Sequence, residues 1–352
     1  MTTGNGSPPR RPGGSPPAGR GARSGAVKKR KPRFWMRRFM LFASLLVFIA
    51  VGYGVYLFMD ANKAIKEMSY GTSSEVGSIG SSPFGMLVMG VDTRGEGGLL
   101  NTDVLMAAAF NPKTKSAVVV SIPRDSRIEV KGYKTRKVNS YYSAFLRNAK
   151  SEGKGVSQEN AEHAAAKGMK DAIGRFLGIP IAYSANVNFQ GFADVVDALG
   201  GVNVNVDMDM DYDDHAGQPG GTSIHLRKGE QKLGGEDALG FVRYRKSNDG
   251  KNMSSDFERN ERQEQVVGAI TDRMMSVPGL LRLGNVFGAV GGNVKTDMPA
   301  SDIREMMRVY FGISKEDIAF IPLTGEWRSP YVYLDEAVVA KASKALQSKL
   351  DE

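Results

Sequence analysis

Four arginines in the segment Phe241–Gln263, FVRYRKSNDGKNMSSDFERNERQ, have the types and spacing to grip a polyanion. Arg243 and Arg245 stand two apart in FVRYR, an apolar and aromatic run that reads as a strand, and alternation puts both guanidinium groups on one face. Ser255-x-x-Glu258 is a capping box and predicts the start of a helix. On that helix Arg259, Arg262 and Gln263 fall at i, i+3 and i+4 and share a face. A guanidinium offers its donors in a fixed fork that matches phosphate or carboxylate. Four of them at one point repel unless an anion lies between them, and the simplest such anion is a pyrophosphate. The competing explanation is local pairing, because Asp256, Glu258 and Glu261 lie in the same segment and Glu258–Arg262 is an i, i+4 pair.

The elements that must position these groups can be read along the chain. Residues 1–38 hold eleven Lys/Arg and no acid, and the Gly, Pro, Ser and Arg content of residues 1–33 predicts disorder. Phe39–Met59 is a stretch of 21 residues without a charge, long enough to span a bilayer as a helix. Basic residues crowd its N-terminal side, so the expectation is a single-pass anchor with a cytoplasmic N-terminus and an extracellular remainder. Residues 60–82 read as a stalk and residues 83–352 as the folded domain. There, strands are expected at 84–91, 104–110, 116–122, 182–188, 202–206 and 318–321. Helices are expected at 158–177, 189–199, 236–239, 255–275, 301–311 and 335–348, and an acidic Gly-rich loop at 207–221. Strands interleaved with helices predict an α/β fold, one α/β/α domain with a mixed central sheet.

Composition excludes several chemistries. The net charge is +9, but beyond residue 38 there are 36 basic and 38 acidic residues, so the basic balance gives no reason to expect nucleic-acid binding. There is no cysteine, which removes disulfides, thiol catalysis and thiolate metal sites. His163, His215 and His225 lack metal-ligand spacing. The aspartates at 207, 209, 211, 213 and 214 lack the glycine and terminal glutamate of an EF-hand loop.

Seven blocks occur in order: GVDTR, NTD, SIPRD, the KVN of Lys137–Asn139, FQGFADVVDALGGV, GEQKLGGEDALGFVRYR and DFERNERQ. Together they resemble the LytR-CpsA-Psr family of membrane-anchored cell-wall enzymes, within which the sequence is most similar to teichoic acid transferases. The resemblance implies a Mg²⁺-dependent phosphotransferase at the cell membrane. Such an enzyme moves a glycopolymer from a polyprenyl pyrophosphate carrier to peptidoglycan, forming a phosphodiester. Asp92, Arg94, Asp103, Arg124, Lys137, Arg243, Arg245, Asp256, Arg259, Arg262 and Gln263 fall on motif positions. Two departures stand out: Asn101-Thr102 replace an arginine common before the NTD aspartate, and Glu258 replaces a glycine.

The residue chemistry agrees with that implication, since pyrophosphate transfer needs charge neutralisation and positioning more than covalent catalysis. Asp92 and Asp103, at the two ends of one loop, are assigned to Mg²⁺, which takes one or two protein carboxylates with phosphate oxygens and waters. Arg243, Arg245 and Arg259 are assigned to phosphates, Arg124 to the phosphoryl group in transfer, and Gln263 to orientation by hydrogen bonding. Arg94, Lys137 and Arg262 complete the expected substrate-binding set. Asp125 either orients Arg124 or merely pairs with it, and Asp256 either serves the site or caps its helix. A polyprenyl chain further calls for an apolar tunnel, expected between the 156–177 helix and the sheet. A lipid-pyrophosphate hydrolase on the same site and a non-enzymatic envelope regulator are the alternatives.

Overall fold

The strand Phe84–Val91 shows why the chain builds a sheet with two covered faces. Leu87, Met89 and Val91 enter one core while Phe84 and Met86 enter another, as a side-chain period of two requires. The computed structural model describes Tyr56 and residues 59–91, 102–153, 155–214, 222–276 and 283–352. All of these belong to one unit, Tyr53–Glu352.

In chain order the elements begin with helix α1 (59–68), β1 (Ser69–Gly71), β2 (Phe84–Val91), β3 (Thr102–Asn111), β4 (Ser116–Ser121), β5 (Arg127–Ile128) and β6 (Arg136–Lys137). Next come α2 (Asn139–Glu152), α3 (Gln158–Leu177), β7 (Tyr183–Asn188), α4 (Phe189–Ala198), β8 (Val202–Val206), β9 (Met210–Asp214), β10 (Thr222–Leu226) and β11 (Gly229–Leu233). The chain continues through α5 (Gly235–Arg243), α6 (Asp256–Met275), α7 (Leu283–Asn293), β12 (Val294–Pro299) and α8 (Ala300–Val309). It ends with β13 (Ile318–Pro322), β14 (Gly325–Arg328), β15 (Tyr331–Leu334) and α9 (Glu336–Asp351).

The central sheet has the order β1-β12-β7-β2-β3-β4-β13 and is mixed, with β2 parallel to β7 and antiparallel to β3. α2, α3 and α9 pack on one face through residues such as Tyr142, Met169 and Leu346. Ile65 of α1 and Ile303 of α8 pack on the other. A third core joins the β8/β11 and β9/β10 hairpin pairs to α4, α5 and α6. The expected α/β/α domain is therefore what forms. α3 has the expected ends because Ser157 accepts from the Asn160 N–H at one end and Gly178 turns left-handed, φ +68°, at the other.

Four expectations differ from the structure. Residues 60–82 do not form a detached stalk: β1 pairs with β12, and Ile65 and Ile79 are buried. The 207–221 segment is not all loop, since β9 pairs with β10 across it. α7 and β12 were not foreseen. FVRYR is not a strand, because its first three residues end α5. Glu236 and Asp237 in the first turn complement the helix dipole. Phe241 is fully buried, and burying it stabilises by about 2–3 kcal/mol. That exceeds the whole span of strand preference, about 1 kcal/mol, so tertiary packing decides.

The membrane-spanning segment expected at 39–59 lies outside the described residues, apart from Tyr56 and Met59. Among the described residues no helix is long and apolar enough to cross a membrane.

Candidate active site

A bulge places the first functional side chain. Along β2 and β3 the register runs Met89–Leu105, Gly90–Val104 and then Val91–Thr102, so Asp103 is the extra residue. A bulge residue is re-aimed relative to the pleat, and Asp103 lines a cleft of about 380 Å³. Thr102 beside it is buried, with an Oγ1 that makes no hydrogen bond.

Arg124 follows the end of β4, where Ile122-Pro123 closes the strand. The Asn139 N–H donates to its carbonyl at 3.1 Å, which ties SIPRD to KVN. Arg124 Nη1 donates to Asp103 Oδ1 at 2.7 Å, whereas its Nε is buried without a hydrogen bond. The neighbouring carboxylate, Asp125, sits among three cations. Lys137 Nζ donates to it at 2.9 Å, Arg124 Nε lies 3.7 Å away and Arg245 Nη2 lies 3.9 Å away. Asp125 hydrogen-bonds Lys137 and lies at ion-pair distance from Arg124 and Arg245, so it holds the three cations near one another.

The remaining arginines arrive from α5 and α6. Arg243 ends α5 and lies 4.4 Å over the Phe189 ring. Tyr244 then turns extended, with ψ 135°, so Arg245 follows on an open chain. The capping box is present, with Ser255 and Glu258 bonding each other's backbone N–H groups. It starts α6 so that Arg259 and Gln263, one turn apart, both face the cleft. Among the described residues, Arg124, Arg243, Arg245, Lys246 and Arg259 line this cleft against two carboxylates, Asp103 and Asp214.

Burial and that surplus act together on the guanidinium groups. Burial, then the charges of Arg245 and Arg124, push the Arg259 guanidinium down, against the opposing pull of Asp125 and Asp103. Arg245 is lowered by burial and then by Arg124. Arginine keeps its proton regardless, so the cluster stores repulsion that an anion would relieve. A larger cavity, about 750 Å³, lies near the end of α3. Its buried Lys170 is already matched by Asp297 at 2.7 Å and by the Ala182 carbonyl at 2.6 Å, so charge rather than size distinguishes the arginine cleft.

Not every expected residue joins it. Arg262 turns away: its Nε and Nη2 donate to both oxygens of Asp207 at 2.7 and 2.6 Å, and its Nη1 to Ser254 at 2.8 Å. Around the helix Arg262 lies about 60° to one side of Arg259 and Gln263 about 40° to the other, so the two are about 100° apart, and the narrow cleft that takes Arg259 and Gln263 leaves Arg262 at its far edge. Lys137 touches the site through Asp125. Asp92 and Arg94 lie outside the described residues, and α6 is capped by Ser255 rather than by Asp256. The expected tunnel beneath α3 is also absent among the described residues, since Ala161, Ala165, Met169 and Ile173 close fully on the sheet. Tyr212, Thr222 and Ile224 of the β9/β10 hairpin line the cleft instead. Their signal in the sequence was an alternation around Tyr212 masked by aspartates.

Comparison with known proteins places this geometry. The chain is 31% identical over 336 residues to the polyisoprenyl-teichoic acid–peptidoglycan teichoic acid transferase TagV of Bacillus subtilis, covering 90% of this chain and 79% of TagV. It is 29% identical to TagU of the same organism, covering 92% and 99%. Among solved structures, B. subtilis TagV superposes with a TM-score of 0.59 at 29% identity, over 77% of this chain and 98% of that one. TagT bound to LI-WTA superposes at 0.56 with 25% identity, over 81% and 97%. The LytR_cpsA_psr family model matches residues 52–350, and the chain belongs to that family.

Proposed function

We propose that the protein is a membrane-anchored phosphotransferase. It moves an anionic glycopolymer, teichoic acid or a similar polymer, from a polyprenyl pyrophosphate carrier to a hydroxyl of peptidoglycan. The observation that carries this reading is the convergence of Arg124, Arg243, Arg245, Arg259 and Gln263 with Asp103 on one positively charged cleft. A pyrophosphate supplies the anion such a cluster requires. The relatives TagU and TagV are named as transferases of this kind.

In this reading the acceptor hydroxyl oxygen attacks the phosphorus that carries the polymer. A new P–O bond forms as the bond to the carrier's other phosphate breaks. Polyprenyl phosphate leaves with the electron pair, and the hydroxyl proton is released. Arg124, steadied by Asp103 and Asp125, contacts the phosphoryl group in transfer. Arg243, Arg245 and Arg259 hold the flanking oxygens, and Gln263 orients them. Asp103 and Asp92 would hold Mg²⁺, and bound there it supplies charge neutralisation to the pyrophosphate oxygens. Asp103 fits this use: it is a hard oxygen donor on a bulge facing the cleft, and two carboxylates suffice for an ion that keeps waters and phosphate ligands. With α3 packed against the sheet, the carrier's hydrocarbon is assigned to the apolar wall made by Val104, Ile224 and Val242.

The test is incubation of the full chain in detergent with labelled lipid-linked polymer and peptidoglycan, with and without metal. Polymer covalently joined to peptidoglycan supports the transferase. Free phosphorylated polymer would make the protein a hydrolase, and no product at all would leave the arginine cleft a binding site.

A further inference from the structure

Trp327 is the one exposed tryptophan among the described residues, with 55% of its surface open to solvent. A single exposed aromatic is ordinary on a protein surface, but the position of this one is specific. Trp327 lies on β14 opposite Val332 of β15. Val332 is buried, bridges to Ser126, and donates its N–H to the Asp125 carbonyl at 3.0 Å. The hairpin is thus fastened to the backbone of the residue that braces the site. Lys137, whose Nζ bonds the Asp125 carboxylate, lies 5.5 Å over the Trp327 ring.

We propose that Trp327 is the platform on which a sugar ring of the acceptor glycan stacks, so that this hairpin is the acceptor side of the site. The inference rests on the transferase reading for the identity of the acceptor. Its chemistry follows from the surface. The occupant must be locally apolar to cover an indole, yet small in apolar area, because among the described residues no other large hydrophobic side chain of this hairpin is exposed and the chain neighbours Glu326, Arg328 and Ser329 are polar. A protein partner would call for a contiguous apolar patch. The C–H face of a β-linked amino-sugar ring, edged by hydroxyl and amide groups, fits the indole and its polar border. Placement argues the same way. The cleft is walled on one side by Tyr212, Thr222 and Ile224, which leaves the Asp125–Lys137 side for a second substrate.

Two measurements on the full chain decide it. In a Trp35→Phe background, where Trp327 is the only tryptophan, its fluorescence is titrated with a β-1,4-linked N-acetylglucosamine hexamer. A saturable change is expected. In the transfer assay, Trp327→Ala should raise the KM for the peptidoglycan acceptor about tenfold, with kcat and the donor KM little changed. Trp327→Phe should recover most of the loss, and Phe311→Ala, an exposed aromatic elsewhere, should show none. An unchanged acceptor KM in Trp327→Ala overturns the proposal whatever the titration shows. If the wild-type chain moves no polymer, it is the transferase reading that fails. The titration alone then decides the platform, with a flat curve overturning it and a saturable one supporting it.

Discussion

Both carboxylate oxygens of Asp207 accept from Arg262, at 2.6 and 2.7 Å, while the guanidinium lies over the Phe241 and Tyr244 rings at 5.7 Å. This pair ties α6 to the segment after β8, while Arg262 Nη1 donates to the Tyr244 carbonyl at 3.4 Å and to Ser254 at 2.8 Å, so the same side chain fastens the segment between α5 and α6 that carries Arg245. Arg262 therefore acts on the architecture of the cleft, whereas Arg259, one turn of helix away from Gln263, acts within it.

Removing Arg262 should unfold before it inactivates. Its side chain is 3% exposed, but the Asp207 side chain it would leave behind is 39% exposed, so the loss is that of a charged hydrogen-bonded pair, about 2 kcal/mol, rather than that of a fully buried one. Arg262→Ala is expected to lower urea stability by about that amount, while Arg259→Ala should leave stability nearly unchanged and abolish transfer. Loss of transfer in Arg262→Ala at full stability would return Arg262 to the substrate.

The same pair predicts an acid dependence. Burial raises the Asp207 pKa, but the Arg262 hydrogen bonds and charge outweigh it, and the carboxyl ends below its ordinary value. A group depressed in the folded state contributes stability that is fully present above its unfolded pKa, about 3.9 for aspartate. That contribution is lost as pH falls through the lower, folded value. Unfolding measured from pH 6 to pH 2.5 should show the gap between wild type and Asp207→Asn narrowing only below about pH 4. A constant gap would mean that Asp207 acts by shape alone.

Arg124 should not tolerate lysine. One end of its fork is committed to Asp103, and in the proposed reading its remaining donors meet the phosphoryl group in transfer. Lysine retains charge but not the fork. Arg124→Lys and Arg124→Ala should each cost on the order of a hundredfold in transfer rate, with unchanged stability. A lysine variant that keeps most of its activity would reduce Arg124 to a simple charge.

The limits of the sequence reading have physical causes. The strands β2, β4, β7 and β8 and the long helices α3 and α6 were legible because one apolar period and clear caps specify each. FVRYR misled because β-branched and aromatic residues suit a strand locally, while the burial that made them a helix comes from β10 and α4, far away in sequence. Arg262 misled because a shared helix face is wide, and a partner 55 residues earlier claimed one edge of it. β1 was hidden because a three-residue strand carries no period of its own and exists only by pairing with β12. The family blocks located the arginines, but only the bulge at Asp103 and the bracing by Asp125 show how those groups are aimed.

Topology gives an independent test of the proposed substrate. Basic residues crowd the N-terminal side of Phe39–Met59, and only Asp60 and Lys63 follow closely. For the proposed anchor at Phe39–Met59, the positive-inside rule predicts that the arginine cleft faces outside the cell. Protease added to intact spheroplasts should degrade the domain and leave the N-terminal tail protected. Protection of the domain instead would separate the cleft from peptidoglycan and remove the acceptor from the proposal.

The last prediction concerns coupling between metal and pyrophosphate. Val91 pairs with Thr102, which precedes Asp103; Asp92 lies outside the described residues, and its convergence with Asp103 on one ion is part of the proposal. Two carboxylates at one point repel, and the nearest positive charge to Asp103, Arg124 Nη1 at 2.7 Å, cannot serve both while also reaching a substrate. A divalent ion would relieve that repulsion, and pyrophosphate oxygens would complete its ligand set. Each ligand must then raise the other's affinity by the same factor. Titration of Mg²⁺ by calorimetry should show weak binding to the free chain and much tighter binding with a soluble isoprenoid pyrophosphate present. Asp103→Asn should lose the difference while Arg124 variants keep part of it, because the arginine meets the phosphate and not the ion. Equal Mg²⁺ affinities with and without the pyrophosphate would show that the two do not share a site, even in a chain that transfers polymer.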